Sequence, residues 1–97
     1  MSRIIVAPRV KDDFDRILDF LQQRAPEYAS ERIGAIIQAI DVLALSPLIG
    51  RPAAWGQREL VISTGASGYL ALYRYDPALD TVFVLAVRSQ RERHYKT

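Results

Sequence analysis

Apolar and polar positions follow two different periods along this chain, and the change falls in the Pro/Gly-rich stretch from Ser46 to Gln57. Before it, Val10, Phe14, Ile17, Leu18 and Leu21 fall on one helical stripe, with Asp12, Asp13, Asp15 and Asp19 largely off it. Pro8 suits the first turn of that helix, where its missing N–H removes a donor that has no helical partner anyway. A second helix opens near Pro26-Glu27 and carries the stripe Ala29, Ile33, Ile36, Ile37, Ile40 and Leu43 or Ala44. The connection Gln23-Arg24-Ala25 is too short for anything but an antiparallel helical hairpin. Ahead of both, the β-branched run Ile4-Ile5-Val6 predicts a first strand.

Beyond Gln57 the pattern becomes that of strands. Arg58 to Ser63, Tyr69 to Tyr75 and Thr81 to Arg88 are separated by the connections 64–68 and 76–80, where Gly65, Gly68 and Pro77 supply turn chemistry. The expected fold is α+β: an N-terminal strand, an antiparallel helical hairpin, then a three-stranded antiparallel meander completing one sheet, with the hairpin on one face. Strict alternation separates Leu70 and Leu72 from Tyr69, Ala71, Tyr73 and Tyr75, and Phe83, Leu85 and Val87 from Val82, Val84 and Ala86. These strands are apolar on both faces, whereas a sheet wetted on one side alternates with polar residues. One hairpin covers one face. The other is to be covered either by a partner or by the 46–57 loop and the C-terminal tail.

Composition narrows the class. Ninety-seven residues fit one domain spanning 1–97, and 49% apolar with 25% charged residues is ordinary for a globular chain. With no cysteine there are no disulfides and no Cys-based metal sites. The N-terminal apolar run is too short for a signal-peptide core and no stretch is long enough to span a bilayer, so the expectation is a cytoplasmic protein without membrane contact. Charge is uneven: residues 1–50 carry six Lys/Arg against seven Asp/Glu, hence −1, and residues 51–97 carry seven against four, hence +3. The terminal cluster Arg88, Arg91, Arg93 and Lys96 suits a phosphate or an acidic partner, or is a solvated tail.

The order strand–helix–helix–loop–three strands is that of RelE/ParE toxins, and local text resembles that family over nearly the whole chain. Ile4-Ile5-Val6-Ala7-Pro8 leading into Phe14-Asp15-Arg16-Ile17 resembles its opening. Ser46-Pro47 with Gly50-Arg51 resembles the Pro-x-x-Gly-Arg turn that closes its hairpin. Arg58-Glu59-Leu60, then Gly68 to Tyr75, then Val84 to Arg88 with Gln90-Arg91-Glu92 resembles its sheet. The resemblance implies a toxin neutralised by a cognate antitoxin whose C-terminal segment folds over it, covering the second face. Two activities run in the family: ParE-like members inhibit DNA gyrase without a known hydrolytic site, and RelE-like members cleave mRNA on the ribosome. No cofactor or metal-ligand pattern is present, and few lysines together with the lack of an acid/base constellation incline this chain to the ParE side.

Two sets of candidate residues follow. Partner binding falls to Tyr69, Tyr73, Val82 and Val84, with Arg88 and Arg91 at the end of the last strand. Under the nuclease alternative the set is Arg58, Arg88, Arg91, His94 and Tyr95, because a metal-free ribonuclease needs a base, an acid and cations around the phosphoryl oxygens. Each has a structural counterpart: Arg88 as an ion pair with Glu59 or Asp76, Tyr95 as an anchor for the tail, His94 as an idle surface residue. Arg74 is expected to be held between neighbouring aromatics, and Trp55 to lie as a lid over the core. The glycines at 65 and 68 lead into a strand, not a helix, and so form no phosphate cradle.

Overall fold

The computed structural model describes residues 1–63 and 68–96. The chain forms β1 (Arg3–Val6), α1 (Arg9–Arg24), α2 (Ala29–Asp41), β2 (Arg51–Pro52), β3 (Arg58–Ile62), β4 (Tyr69–Asp76) and β5 (Thr81–Ser89). Short tight turns at Pro26–Tyr28 and Val42–Ala44 bracket α2. All strands join one sheet in the order β1-β5-β4-β3-β2, with β1 parallel to β5 and the other pairs antiparallel. The expected α+β architecture is present: strand, helix pair and meander in one sheet. The connection through residues 64–67, expected as a turn containing Gly65, lies outside the described residues.

Three local departures from the sequence pattern occur. The second helix begins at Ala29 because Pro26–Tyr28 forms a tighter turn, closed by the Tyr28 N–H on the Ala25 carbonyl at 3.0 Å. Ile37, placed on the apolar stripe, stands half exposed. The two-residue strand β2 was not anticipated, since its Arg51-Pro52 has no period of its own; it is held by pairing with Arg58 and Glu59.

The core lies between the helix pair and one face of the sheet. Val10, Ile17 and Leu21 from α1, and Ile36 and Ile40 from α2, meet Ile62, Tyr69, Ala71, Tyr73, Val82, Val84 and Val87. Alternation alone would have put Val87 with Phe83 and Ala86 with Val84. A β-bulge reverses this: Leu72 pairs with Ala86 but Tyr73 pairs with Val84, leaving Leu85 as the extra residue. One inserted residue swaps the faces of everything beyond it. Val87 therefore joins the core and Ala86 leaves it.

That core is closed at one edge by charge. Asp13, read as a surface acid, is only 1% exposed. Its Oδ2 accepts the Val87 N–H at 3.0 Å, and its Oδ1 receives Arg16 Nη1 at 2.9 Å and Arg9 Nη2 at 3.2 Å. The reason is topological. β1 pairs with β5 only as far as Val84, and the last rung is the Ala7 N–H on the Val84 carbonyl at 2.9 Å. Past that point the outer edge of β5 has no strand beside it, and buried backbone groups must find other partners. Asp13 takes the Val87 N–H, Arg16 Nη2 donates to the Val87 carbonyl at 3.3 Å, and Glu92 accepts the Ser89 N–H at 3.1 Å. Arg16 Nε donates to Glu92 at 2.6 Å and ties the set together.

The loop after α2 is pinned rather than packed. The Tyr73 hydroxyl accepts the Gly50 N–H at 2.8 Å, and a Cβ at Gly50 would stand 2.6 Å from the Tyr73 ring, so only glycine fits there. Arg58 Nη1 donates to the Gly50 carbonyl at 2.8 Å and to that of Leu48 at 3.2 Å. Trp55 is not the lid the sequence suggested. It is 91% exposed, at φ +64° and just before Gly56 at +70°. The Ala53 N–H to Gln57 carbonyl bond at 2.8 Å turns the backbone back on itself and leaves the indole at the tip.

Two measurements check this description. Asp13→Ala is expected to lower unfolding free energy by about 3 kcal/mol in urea titrations, because it leaves two guanidiniums and a backbone N–H without their anion. Asp15→Ala, on the exposed side of α1, should stay within about 0.5 kcal/mol of the parent. Trp55 is the sole tryptophan, so fluorescence should show a water-exposed emission maximum with full access to acrylamide. A blue-shifted, protected indole would contradict the loop geometry.

Candidate functional site

The face that the helices cover decides which residues a partner can reach. Tyr69, Tyr73, Val82 and Val84, the candidate partner-binding set, turn toward the helices and are buried among them. A docking protein would have to part sheet from helices to touch them, so on the folded chain they act as the core floor. The opposite face carries Glu59, Val61, Leu70, Leu72, Arg74, Phe83, Ala86 and Arg88, as the registers Glu59↔Leu72, Leu72↔Ala86 and Leu70↔Arg88 require.

Part of that face is covered by the chain's own tail. The Tyr95 hydroxyl donates to Glu59 Oε2 at 2.6 Å, which brings the phenol over the strands at the Glu59–Leu72–Ala86 row. Leu70 and Ala86 are buried there although no helix faces them. Arg88 forms no ion pair with Glu59 or Asp76. Its guanidinium lies 5.0 Å from the Tyr95 ring centroid, and Nη1 donates to the carbonyls of Ser89, at 3.3 Å, and Glu92. Arg88 thus clamps the tail from below while Tyr95 closes it from above. Arg74 stacks 4.7 Å from the Phe83 ring centroid at the uncovered end of the face.

The nuclease set does not converge. Arg58 pairs across from Tyr73, and its guanidinium is taken up by the loop carbonyls. Arg91 stacks 5.3 Å from the ring centroid of Phe20, on α1. His94 is exposed in the tail. Arg88 and Tyr95 do meet. Glu59, expected only as an ion-pair partner of Arg88, is instead the acceptor for Tyr95, through a contact 36 positions apart that the sequence did not suggest.

Electrostatics fix the protonation state of this pair. Burial raises the Tyr95 phenol, and the hydrogen bond to Glu59 with that carboxylate's charge raises it further, well beyond the ordinary 10.0. For Glu59, burial works to raise the carboxyl, but hydrogen bonds from Tyr95 and Arg51 with the charges of Arg51 and Arg88 more than offset it, so its pKa falls below the usual carboxylate value. The pair therefore stays phenol and carboxylate across neutral pH. A phenol raised this far is a poor proton donor to a leaving group. The sign for stability follows: Tyr95 contributes fully below its unfolded value and loses that contribution as pH rises past it, whereas Glu59 loses its contribution as pH falls through its lowered value.

Absorbance titration of the phenols should accordingly show a late-ionising step in the parent that disappears in Tyr95→Phe and moves to lower pH in Glu59→Gln. An unchanged titration curve in both variants would mean that the tail is not seated on β3.

Among the described residues, no helix is long and apolar enough to cross a membrane. A family model described as the ParE toxin of the type II toxin-antitoxin system parDE matches residues 4–94. Toxin RelE3 of Caulobacter vibrioides is 33% identical over 93 residues, covering 96% of this chain and 99% of that protein. Toxin RelE1 of the same organism is 36% identical over 72 residues, covering 73% and 76%. Among solved structures, the chromosomal ParDE system from P. aeruginosa superposes with a TM-score of 0.76 at 20% identity, over 92% of this chain and 96% of that one. The toxin-antitoxin complex RelBE2 from Mycobacterium tuberculosis superposes with a TM-score of 0.63 at 20% identity, over 92% and 98%. The match spans strand, helix pair, meander and tail alike, and the chain belongs to the ParE toxin family of type II toxin–antitoxin systems.

Proposed function

We propose that this toxin acts without catalysis, inhibiting DNA gyrase by protein–protein contact, and that a cognate antitoxin neutralises it by binding the folded domain. One observation carries the reading: the groups a nuclease would need are spent on structure. Tyr95 donates its hydrogen bond to the Glu59 carboxylate, Arg58 holds the loop carbonyls, and Arg91 lies against Phe20. General acid catalysis asks for a proton that leaves near neutral pH, and Tyr95 is shifted the other way. The match to the ParE family model points in the same direction. The antitoxin partner is supported by the two structural neighbours, a chromosomal ParDE system and the RelBE2 toxin–antitoxin complex.

The second reading is a RelE-like, ribosome-dependent mRNA endoribonuclease. It is favoured by the names of the two Caulobacter relatives and by the adjacency of Arg88 to the Tyr95 ring. Under it, Arg88 would stabilise phosphoryl charge, and His94 would exchange protons from the exposed tail.

Purified toxin assayed for gyrase supercoiling and for ribosome-dependent mRNA cleavage separates the two. The expected outcome is inhibition of supercoiling that persists in His94→Ala and Tyr95→Phe, with no cleavage. Cleavage that drops by about 100-fold or more in either variant, the size typical of a lost acid or base, with gyrase untouched, would establish the second reading instead.

A further inference from the structure

The hairpin that joins β2 to β3 ends in a turn its own sequence makes costly. Pro52 pairs with Arg58, and the next rung is the Ala53 N–H on the Gln57 carbonyl at 2.8 Å. The Gln57 N–H then returns to the Ala54 carbonyl at 3.2 Å, so Trp55 and Gly56 are the two central residues of the tip. Both have positive φ, +64° and +70°. A hairpin turn with left-handed backbone at both central positions selects Asn, Asp or Gly at the first of them. Here that position holds Trp. A bulky side chain on this backbone is strained, and burial does not offset the strain, because Trp55 is 91% exposed.

A strained residue that the domain's own packing does not require points to a use outside the domain. The frame beneath it is firm. Tyr73 holds the Gly50 N–H at 2.8 Å, Arg58 Nη1 holds the Gly50 carbonyl at 2.8 Å, and Arg51 Nε crosses the hairpin to Glu59 Oε1 at 3.0 Å. The indole is thus carried on the projecting tip of a fixed hairpin. We propose that Trp55 is the anchor by which this toxin docks on its target protein, entering an apolar pocket of that protein; the proposal rests on gyrase being the target and names the toxin's side of the contact. A projecting indole needs a concave receptor, which a folded protein offers ready-made and an extended segment does not. Tryptophan is also among the side chains that carry most of the binding energy when such a pocket closes on them. DNA is the poorer fit, because its binding rests on cations free to meet phosphates. Residues 53–57 carry no charge, and the flanking Arg51 and Arg58 are engaged by Glu59 and by the carbonyls of Leu48 and Gly50.

Trp55→Asn tests this, because asparagine suits the turn and removes the anchor. The expected result is a split between stability and activity. The melting temperature should equal or exceed the parent's, while the toxin concentration that half-inhibits gyrase supercoiling rises by about tenfold or more. Trp55→Phe, which keeps an aromatic ring, should fall between the two. A lower melting temperature in Trp55→Asn would make the indole a structural residue and overturn the proposal. Undiminished inhibition by Trp55→Asn would overturn it as well, with gyrase still standing as the target. A parent that leaves supercoiling untouched would instead sink the gyrase reading, and the anchor with it. Other occupants are tested on the unaltered chain through its sole indole. Its emission should stay unshifted as the toxin is concentrated and as plasmid DNA is added without gyrase. A blue shift in the first case would assign Trp55 to a second copy, and a change in the second would assign it to DNA; either result overturns the proposal.

Discussion

A single buried carboxylate makes the rest of this fold possible. The sheet has a mismatch built into it, because β1 ends opposite Val84 while β5 runs on to Ser89. Left alone, the outer edge of β5 would bury backbone donors and acceptors under α1, a cost of about 1–3 kcal/mol per unsatisfied group. Asp13 and Arg16, one helical turn apart, serve as a substitute strand: one accepts from Val87 and the other donates to it. Glu92 extends the set to Ser89 and so anchors the start of the tail. Helix, sheet edge and tail meet in one charge network. A buried ion pair by itself is weak evidence of stability, since desolvation offsets much of the attraction. Its value here lies in fitting groups that no strand is present to satisfy.

The network and the bulge belong together. Leu85 is the extra residue, and it falls just where β1 stops pairing. The bulge turns Val87 into the core beside Val82 and Val84, where its N–H is presented to Asp13. It also brings Ala86, small enough to lie beneath the tail, and Arg88, long enough to clamp it, onto the opposite face. Without that one inserted residue the strand's last four side chains would trade faces. The tail would then lose Arg88 as its support.

The two faces of the sheet consequently have separate roles. The face against the helices is packed core. The other carries a self-made cover, Tyr95 on Glu59 with Arg88 beneath, and leaves Arg74 and Phe83 uncovered toward the far end.

Local pattern determined the elements and their order. The stripe at Val10, Ile17 and Leu21, the β-branched Ile4-Ile5-Val6 and the turn residues around Pro77 act between near neighbours, and each element formed within a few residues of where its period placed it. Gly50 in the loop was legible as a turn residue, though not as the one position that the Tyr73 ring leaves open. What the tertiary structure alone decided was facing and pairing. Strict alternation cannot show a bulge, because the inserted Leu85 is as apolar as its neighbours, nor can it show which face the helices cover, and they cover that of Tyr69, Tyr73, Val82 and Val84. Asp13 reads as a surface acid because its partner is a backbone N–H 74 residues away. Tyr95 owes its raised phenol to burial and to Glu59, 36 positions away. Periodicity records which side chains avoid water; which of two apolar faces is covered, and by what, is set by distant contacts that leave no local trace.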